Sequence, residues 1–192
     1  MEWDQERMSA SIEHAVEAAR RMVRDQGSLD GMLTTLHPTN DSGFTAFGFG
    51  MPEKPEDRDL IADVIRGIAD ELDAIMVTLA VSAWIQMPGD LDSVDLEQIA
   101  SVQSNRTEIL MITASHRVLG DSSRFERIWR DGSSARFEAI TAPPGLAMES
   151  RFERILSPQR EPVSAVARKQ AHEIATRVRM GRAGNDNGQL RH

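Results

Sequence analysis

Histidines are the residues of this chain best suited to proton transfer or metal binding near neutral pH. Two of the five, His37 and His116, lie in a turn and just after a strand end, where site residues commonly lie. With Glu108, and with Asp41 close to His37, they are candidate catalytic residues of a small hydrolase or metal enzyme, provided that the fold brings them together. Ordinary turn histidines are the simpler interpretation, because no two histidines have the spacing of an HxH or HExxH motif.

Motifs for other chemistries are missing from the sequence. There is no cysteine, so disulfides, thiol nucleophiles and cysteine-bound metals are excluded. The chain also lacks a Gly-rich phosphate-binding loop and the Gly-x-Ser-x-Gly turn of serine hydrolases. The acidic segment 90–97 lacks the register of a calcium-binding loop. We therefore expect no cofactor and no metal site, and the sequence leans against an enzyme.

Basic residues are concentrated near the end of the sequence. Residues 1–156 hold 15 Lys and Arg against 27 Asp and Glu, a formal charge of −12, whereas residues 157–192 hold 7 against 3, a charge of +4. An acidic body repels nucleic acid, so the basic segment is the only region that favours a polyanion. Its candidate partner-binding residues are Arg168, Lys169, Arg177 and Arg179. Two alternatives stay open, since this segment can dock on its own acidic body or on a partner.

Helical and strand periodicities predict the elements that must position these residues. Apolar residues recur at helical spacing within Asp4–Gln26. Two runs, Gly31–Leu36 and Phe44–Met51, flank a connector of turn-forming residues and predict a hairpin. An amphipathic helix with its apolar stripe over Leu60–Leu72 follows. It leads directly into the apolar run Ile75–Met87, which predicts a buried strand.

The second half of the chain predicts further strands. Thr107–Ser115 has the composition of a strand, and Asp131-Gly132 between Arg124–Arg130 and Ala135–Thr141 predicts a second hairpin. The pattern Arg-Phe-Glu-x-Ile occurs in both strands of that hairpin and again at Arg151–Ile155. Alternating apolar and charged residues are typical of half-exposed strands in which Arg and Glu pair with neighbouring strands.

After Pro162 the sequence has an apolar stripe at helical spacing with basic residues at the other positions. This pattern predicts a C-terminal helix that ends at Gly181. The elements together predict an α+β protein with a single mixed, mostly antiparallel sheet of about five to six strands, helices packed on one face and this C-terminal helix. The domain organisation expected is a globular α+β domain over 1–156, a basic amphipathic helix over 157–181 and a disordered tail over 182–192.

Two short motifs at the centre of the sheet carry a family resemblance. The first central strand ends in Ser82-Ala83-Trp84, and the second begins with Asn105-Arg106-Thr107-Glu108. This arrangement resembles a family of small prokaryotic and phage proteins, a domain of unknown function, with an "EAW"-type strand end and an "REE/RTE"-type strand start. The resemblance covers Gly31–Thr141 and implies an α+β fold without catalytic residues. The acidic position of the first triplet is replaced here by Ser82, which puts any shared site at that acid in doubt.

Simple structural roles are the first interpretation for the residues of these motifs. We expect Trp84 to be a core aromatic that closes one end of the sheet. For Arg106 and for Glu108 we expect a cross-strand ion pair rather than a catalytic role.

The function that these observations favour is a non-enzymatic interaction or assembly module of bacterial or phage origin, homo-oligomeric or bound to a protein partner. The alternative is a nucleic-acid-associated protein that acts through the basic C-terminal helix. A small hydrolase or metal enzyme is the third hypothesis. No signal-peptide pattern opens the sequence and the longest apolar run is too short to span a bilayer, so we expect a cytoplasmic location and no membrane contact.

Overall fold

The computed structural model describes residues 3–29, 31–39, 44–86, 106–132, 134–141, 152, 155–157 and 162–188, of which 86 and 181–188 are described by their backbone alone. Predicted features at Asp41, in the connector 88–104 and at 189–192 lie outside these residues. Three helices and six strands form in the described part. They are, in chain order, α1 Gln5–Gln26, β1 Met32–Pro38, β2 Thr45–Phe49, α2 Pro55–Glu71, β3 Ala74–Gln86, β4 Arg106–His116, β5 Gly120–Asp131, β6 Ser134–Ile140 and α3 Ala165–Gly188.

All six strands join one open sheet in the order β2-β1-β3-β4-β5-β6. Every neighbouring pair is antiparallel. The predicted fold class, α+β with a single sheet of this size and a C-terminal helix, is therefore confirmed. Both predicted hairpins form, as β1–β2 and as β5–β6, the latter across a two-residue turn in which Gly132 has a φ of +58°.

The helices cover both faces of the sheet. The first face, called here the α2/α3 face, buries Met32, Val77, Leu79 and Ile109 against α2 and α3. The opposite face, called the α1 face, buries a second cluster against α1: Leu33, Ala80, Leu110, Ile112 and Ile128. The expected packing of helices on one face holds for α2 and α3, and α1 lies on the other. The continuous apolar run of β3 explains this, since a strand that is apolar on both faces needs cover on both.

The C-terminal helix is longer than predicted. It continues past Gly181 to Gly188, so the prediction of a disordered tail is wrong for residues 182–188. A glycine inside a helix costs about 1 kcal/mol relative to alanine but does not by itself end the helix. Gly27, in contrast, does end α1, because it adopts the left-handed conformation with a φ of +81° and its N–H bonds the Val23 carbonyl.

The basic helix α3 is anchored to the body through its apolar side. Ala167 and Ala171 are fully buried in the core of the α2/α3 face. At Gly67 of α2 the two helices approach so closely that a Cβ placed there would lie 2.7 Å from the Cβ of Ala171. Only a residue without a side chain allows this approach.

We expect Gly67→Ala to lower the free energy of unfolding by about 1–2 kcal/mol, because the overpacking outweighs the gain in helix propensity. The free energy is measured by urea denaturation. Ala171→Gly alone should cost about 1 kcal/mol through helix propensity. The double variant moves the methyl group from one helix to the other, so its loss should be clearly smaller than the sum of the two single losses. Gly48→Ala, with nothing within 4 Å of the added Cβ, is the control. Simple additivity of the two helix variants would contradict this packing.

A buried ion pair ties α1 to the sheet. The Glu126 side chain on β5 is 0% exposed. Arg20 of α1 donates to it from Nε at 2.8 Å and from Nη2 at 2.6 Å, and Arg124 donates from Nε at 3.1 Å. Arg124 also pairs with Glu13 of α1. The Arg-Phe-Glu pattern at 124–126 was predicted to be half-exposed, and for Glu126 that is wrong, since α1 covers this row of the sheet.

We expect Glu126→Gln to destabilise the protein by about 3 kcal/mol, because it removes the buried charge partner that two half-buried guanidinium groups share. Glu17→Gln is the matched control. Glu17 also accepts hydrogen bonds from Arg20 and from Arg24, but its side chain is 49% exposed, so its loss should cost less than about 1 kcal/mol. Equal losses for the two variants in denaturant titrations would rule out a special role for the buried pair.

Candidate functional site

Two of the predicted site residues lie together on the α1 face. His37 of β1 is paired with Met76 of β3, and Met76 with His116 of β4, so the three side chains form one row across neighbouring strands. The ring of Trp3, which directly precedes the N-cap of α1, contacts both imidazoles, with centroid distances of 5.8 Å to His37 and 5.3 Å to His116. Trp3, His37 and His116 are called here the imidazole cluster.

Local sequence explains why Trp3 reaches this position. Asp4 caps α1 by accepting a 2.8 Å hydrogen bond from the backbone N–H of Arg7. Trp3 is then the residue before the cap and Met8 is the fourth residue of the helix, and both belong to one apolar cluster. This is the hydrophobic staple that sets the direction in which a chain enters a helix. The guanidinium of Arg7 lies over the indole of Trp3, with its Cζ 4.3 Å from the ring centroid.

The tautomer of His116 follows from its hydrogen bonds. Its Nδ1 accepts from the backbone N–H groups of Val118 and Leu119, at 3.1 Å and 3.0 Å, and so holds the turn between β4 and β5. A nitrogen that accepts two hydrogen bonds carries no proton, so in the neutral ring the proton is on Nε2. His116 therefore presents a hydrogen-bond donor to the cluster.

Several buried polar atoms of the cluster have no hydrogen-bond partner among the described residues. His37 is 6% exposed and His116 is 4% exposed. The Nε2 atoms of both rings and the Nε1 of Trp3 are buried without a hydrogen-bond partner in the described part of the chain. Burial, together with the positive charges of His14 and Arg7, lowers the pKa of His37 to about 4. Burial also lowers the pKa of His116. Both rings are thus favoured in their neutral form.

Glu108 does not join the histidines. It lies eight residues before His116 on the same strand, which is roughly 27 Å along an extended chain. Its buried carboxylate accepts hydrogen bonds from Arg130 of β5, at 2.8 Å and 2.6 Å. Glu108 thus makes a cross-strand ion pair, as expected, and its partner is Arg130 of β5. An acid–base group of His37, His116 and Glu108 is not assembled by this fold.

Trp84 is not the core residue that was predicted. It is 60% exposed and lines an open groove at the C-terminal end of α1, together with Arg24, Glu108 and Arg130. The reason is its position near the end of β3, close to Gly27, where α1 has ended and no longer covers the α1 face. No group of three His, Asp or Glu side chains with metal-binding geometry is found among the described residues.

The basic residues of α3 divide into two groups. Arg179 pairs with Glu71 of α2 at 3.1 Å, and Arg168 donates to the Val163 carbonyl at 3.1 Å. Glu71 also accepts from His172, and these partners lower the pKa of its carboxyl. Lys169 and Arg177 are exposed and make no hydrogen bond or ion pair with any described residue.

Strand β6 has an open edge in the described part of the sheet, because β5 is its neighbour on one side only. Asp131 pairs with Ser134 across the two-residue turn, and such a closing pair is hydrogen-bonded. The backbone N–H and C=O groups of alternate residues, Ala135, Phe137 and Ala139, therefore point away from β5. They form a row of donors and acceptors along the outer edge.

The side chains of this edge carry opposite charges. Arg136 and Glu138 are both exposed and lie two residues apart on the same face. Glu138 accepts a 2.9 Å hydrogen bond from Nε1 of Trp129 on β5, which fixes its direction. Arg136 makes no hydrogen bond or ion pair within the described residues.

Trp3 and the β6 edge were not found from the sequence. For Trp3 a local signal exists, since an aromatic residue before a capping Asp and four residues ahead of a helical Met is a staple pattern. Its contact with two histidines on distant strands has no local signal. For β6 the signal is the order of charges in Ala-Arg-Phe-Glu-Ala. This order can be interpreted only when the strand is known to lie at an edge of the sheet.

The fold and these sites define an α+β protein with a six-stranded antiparallel sheet, a buried imidazole cluster on one face and an open, charged edge strand. No family model matches the chain, and neither the curated proteins nor the solved structures contain a match. The resemblance to the prokaryotic and phage family therefore stays a prediction. None of the helices in the described part is both long and apolar enough to cross a membrane.

The lowered pKa of His37 has a consequence for stability. The unfolded chain, with a histidine pKa near 6.5, binds more protons than the folded protein between about pH 4 and pH 6.5, so stability rises with pH across this window. On going from pH 7 to pH 4, the wild-type protein should lose about 3 kcal/mol more than His37→Phe. Urea denaturation at the two pH values measures the difference.

His172→Phe is the control for this pH effect, since His172 is exposed on α3 and binds Glu71. The carboxylates that titrate in the same range are common to the wild type and His37→Phe and cancel in that comparison, whereas His172→Phe also removes a partner of Glu71. An identical pH dependence for wild type and His37→Phe would mean that burial does not favour the neutral ring.

Proposed function

We propose that this protein is a non-enzymatic interaction module that assembles with a second copy of itself through the open edge of β6. The observation that carries the proposal is the sequence Ala135–Ala139, which is complementary to itself when two copies run antiparallel. A symmetric pair formed about Phe137 is an isologous interface, the commonest type in homodimers.

The register of such a pair follows from the backbone. Phe137 lies opposite Phe137 of the second copy, and Ala135 lies opposite Ala139 of the second copy. These are the residues whose N–H and C=O groups point outward, so each of them exchanges both of its hydrogen bonds across the interface. A shift by one residue would bring the inward-pointing groups of Arg136 and Glu138 to the interface and lose these bonds.

Charge complementarity favours the same register. Between the hydrogen-bonded pairs, Arg136 lies opposite Glu138 of the second copy, and Glu138 lies opposite its Arg136. Charged residues on an edge strand usually prevent edge-to-edge association. Here the two charges are opposite in sign and are placed so that self-association makes two attractive cross-strand pairs. Arg136 has no partner among the described residues of its own chain, so it can make this pair without losing another.

The other two functions have weaker support. For nucleic acid binding, Arg179 and His172 are engaged with Glu71, and among the basic residues first considered only Lys169 and Arg177 are exposed without a partner. Two phosphate contacts give little affinity at physiological salt. For a hydrolase or metal enzyme, Glu108 is paired with Arg130 far from the histidines.

Charge reversals on β6 test the proposed assembly. Arg136→Glu places two like-charged pairs at the interface, and Glu138→Arg does the same with positive charges. Each variant should raise the dimer dissociation constant about tenfold or more. An equimolar mixture of the two variants should form a heterodimer, because each glutamate then faces an arginine. Sedimentation velocity over a range of concentrations measures all three.

Arg177→Glu on α3 is the control, since it changes the net charge by the same amount as Arg136→Glu and should leave association unchanged. A wild-type protein that stays monomeric at high concentration contradicts the proposal. So does a dimer that both single variants form as well as the wild type.

A further inference from the structure

Four side chains of β5 and β6 lie together on one face at the edge of the sheet. Phe125 of β5 is buried on the α2/α3 face, so Arg127 and Trp129, which follow it in alternation, point to the same face. On β6, Glu138 is paired with Arg127. Arg136 is paired with Trp129 in the same way, and directly opposite residues share a face. Trp129, Arg136 and Glu138 are exposed and Arg127 is half-buried. The four are called here the edge cluster.

The carboxylate of the edge cluster is not bound to the arginine opposite it. Glu138 accepts a 2.9 Å hydrogen bond from Nε1 of Trp129 and makes no ion pair with any described residue. Arg127 lies instead over the indole, with its Cζ 5.0 Å from the ring centroid. The Nε of Arg127 is buried without a hydrogen-bond partner among the described residues. Trp129 thus contacts two opposite charges that lie on directly paired residues and are not bound to each other.

An indole holds a carboxylate in a different way from a guanidinium. The indole N–H is a neutral donor, so its hydrogen bond sets the direction of Glu138 without neutralising the charge. A guanidinium in its place would form a charge-assisted pair, and this pair would have to open before the carboxylate could bind another cation. The indole ring also attracts the guanidinium of Arg127 through a cation–π contact. Both contacts leave the charge of Glu138 available to a cation outside its own chain.

We propose that Trp129 is the positioning residue of the β6 interface. It keeps Glu138 apart from Arg127 of the same chain, so the carboxylate stays available to Arg136 of the second copy. This role rests on the self-association proposed above. In that register Glu138 lies between Arg127 of its own chain and Arg136 of the second copy, and the two-fold symmetry repeats the arrangement. Trp129 therefore decides, at both ends of the interface, which of two arginines the carboxylate binds.

Trp129→Phe tests this role, because it keeps an aromatic ring, removes the indole N–H and weakens the cation–π contact. Glu138 can then pair with Arg127 across the two strands. We expect the dimer dissociation constant to rise about tenfold, because both carboxylates of the dimer then have to leave a partner within their own chain. Sedimentation velocity over a range of concentrations measures it. Trp84→Phe, which removes an exposed indole from β3, is the control and should associate as the wild type does.

A second substitution separates positioning from a merely structural role. Arg127→Met keeps a long apolar side chain and removes the competing cation. The double variant Trp129→Phe/Arg127→Met should therefore associate within about threefold of the wild type, a non-additive rescue. Loss of packing at Trp129 would not be repaired by a second loss beside it. Trp129→Phe/Arg177→Met is the matched control, because it makes the same change of net charge on α3 and should associate as weakly as Trp129→Phe alone.

Three results would overturn the role of Trp129 alone. The first is a wild-type dimer that Arg136→Glu weakens and Trp129→Phe does not. The second is a double variant with Arg127→Met that associates as weakly as Trp129→Phe. The third is an equal rescue by Arg177→Met, which would assign the effect to net charge. A wild-type protein that stays monomeric instead overturns the assembly itself, and this role with it. Circular dichroism and thermal unfolding of each variant establish that weaker association is not loss of the fold.

Discussion

A carboxylate with no exposed surface has to be paired, and Glu126 meets this requirement through two arginines that approach from different elements. Arg124 comes from the same strand, and Arg20 comes from the middle of α1. The bidentate hydrogen bonds fix both the position and the direction of the Arg20 side chain, so α1 can pack on its face of the sheet in one position only. The entry of the chain into α1 is fixed with it, and this entry carries Trp3 and Arg7 over the imidazole cluster. The cluster therefore depends on an ion pair that touches none of its members.

The elements of the fold were predictable because their signals are local. The apolar run of β3, the Asp-Gly turn before β6 and the glycine stop of α1 each act over a few residues, and each appears where the periodicity indicates. The arrangement of the helices was less predictable. A continuous apolar strand indicates that both faces of the sheet are covered, but it does not indicate which helix covers which face. That choice is made by long-range packing such as the contact of Gly67 with Ala171.

The site could be predicted only in part, for the same reason. Their places in a turn and at a strand end make His37 and His116 candidates from the sequence alone, and antiparallel pairing through Met76 puts them in one row. The sequence cannot separate Glu108 from them, because distances along the sheet follow only from the strand register. Trp84 was expected in the core because large aromatics usually lie there, but the end of α1 at Gly27 leaves its surface uncovered. Trp84 is exposed because α1 ends before it reaches this end of β3, and this depends on the length of the helix relative to that of the strand.

The three copies of Arg-Phe-Glu-x-Ile show how the sheet changes the meaning of one pattern. In β5 the phenylalanine faces α2 and α3 and the glutamate is buried beneath α1; in β6 the register reverses the two faces. Phe137 then lies under Arg20 and Arg24 at 5.7 Å and 5.2 Å, while Glu138 is exposed. In the third copy Phe152 and Ile155 are both buried, and the other three residues lie outside the described part of the chain. Pairing register, and not composition, decides which copy builds the core and which one is available at the edge.

Helix α1 contacts both the β6 edge, through Phe137, and the imidazole cluster, through Arg7 and Trp3. A shared element does not by itself couple two sites, because coupling needs an element with two arrangements of similar free energy. Moving α1 along the sheet would unpair Arg20 from a carboxylate that has no access to water, and this cost strongly disfavours a second arrangement. Helix α1 is thus a rigid connection between the β6 edge and the imidazole cluster. Self-association at β6 is then expected to leave the imidazole cluster unchanged, since it cannot change the position of α1.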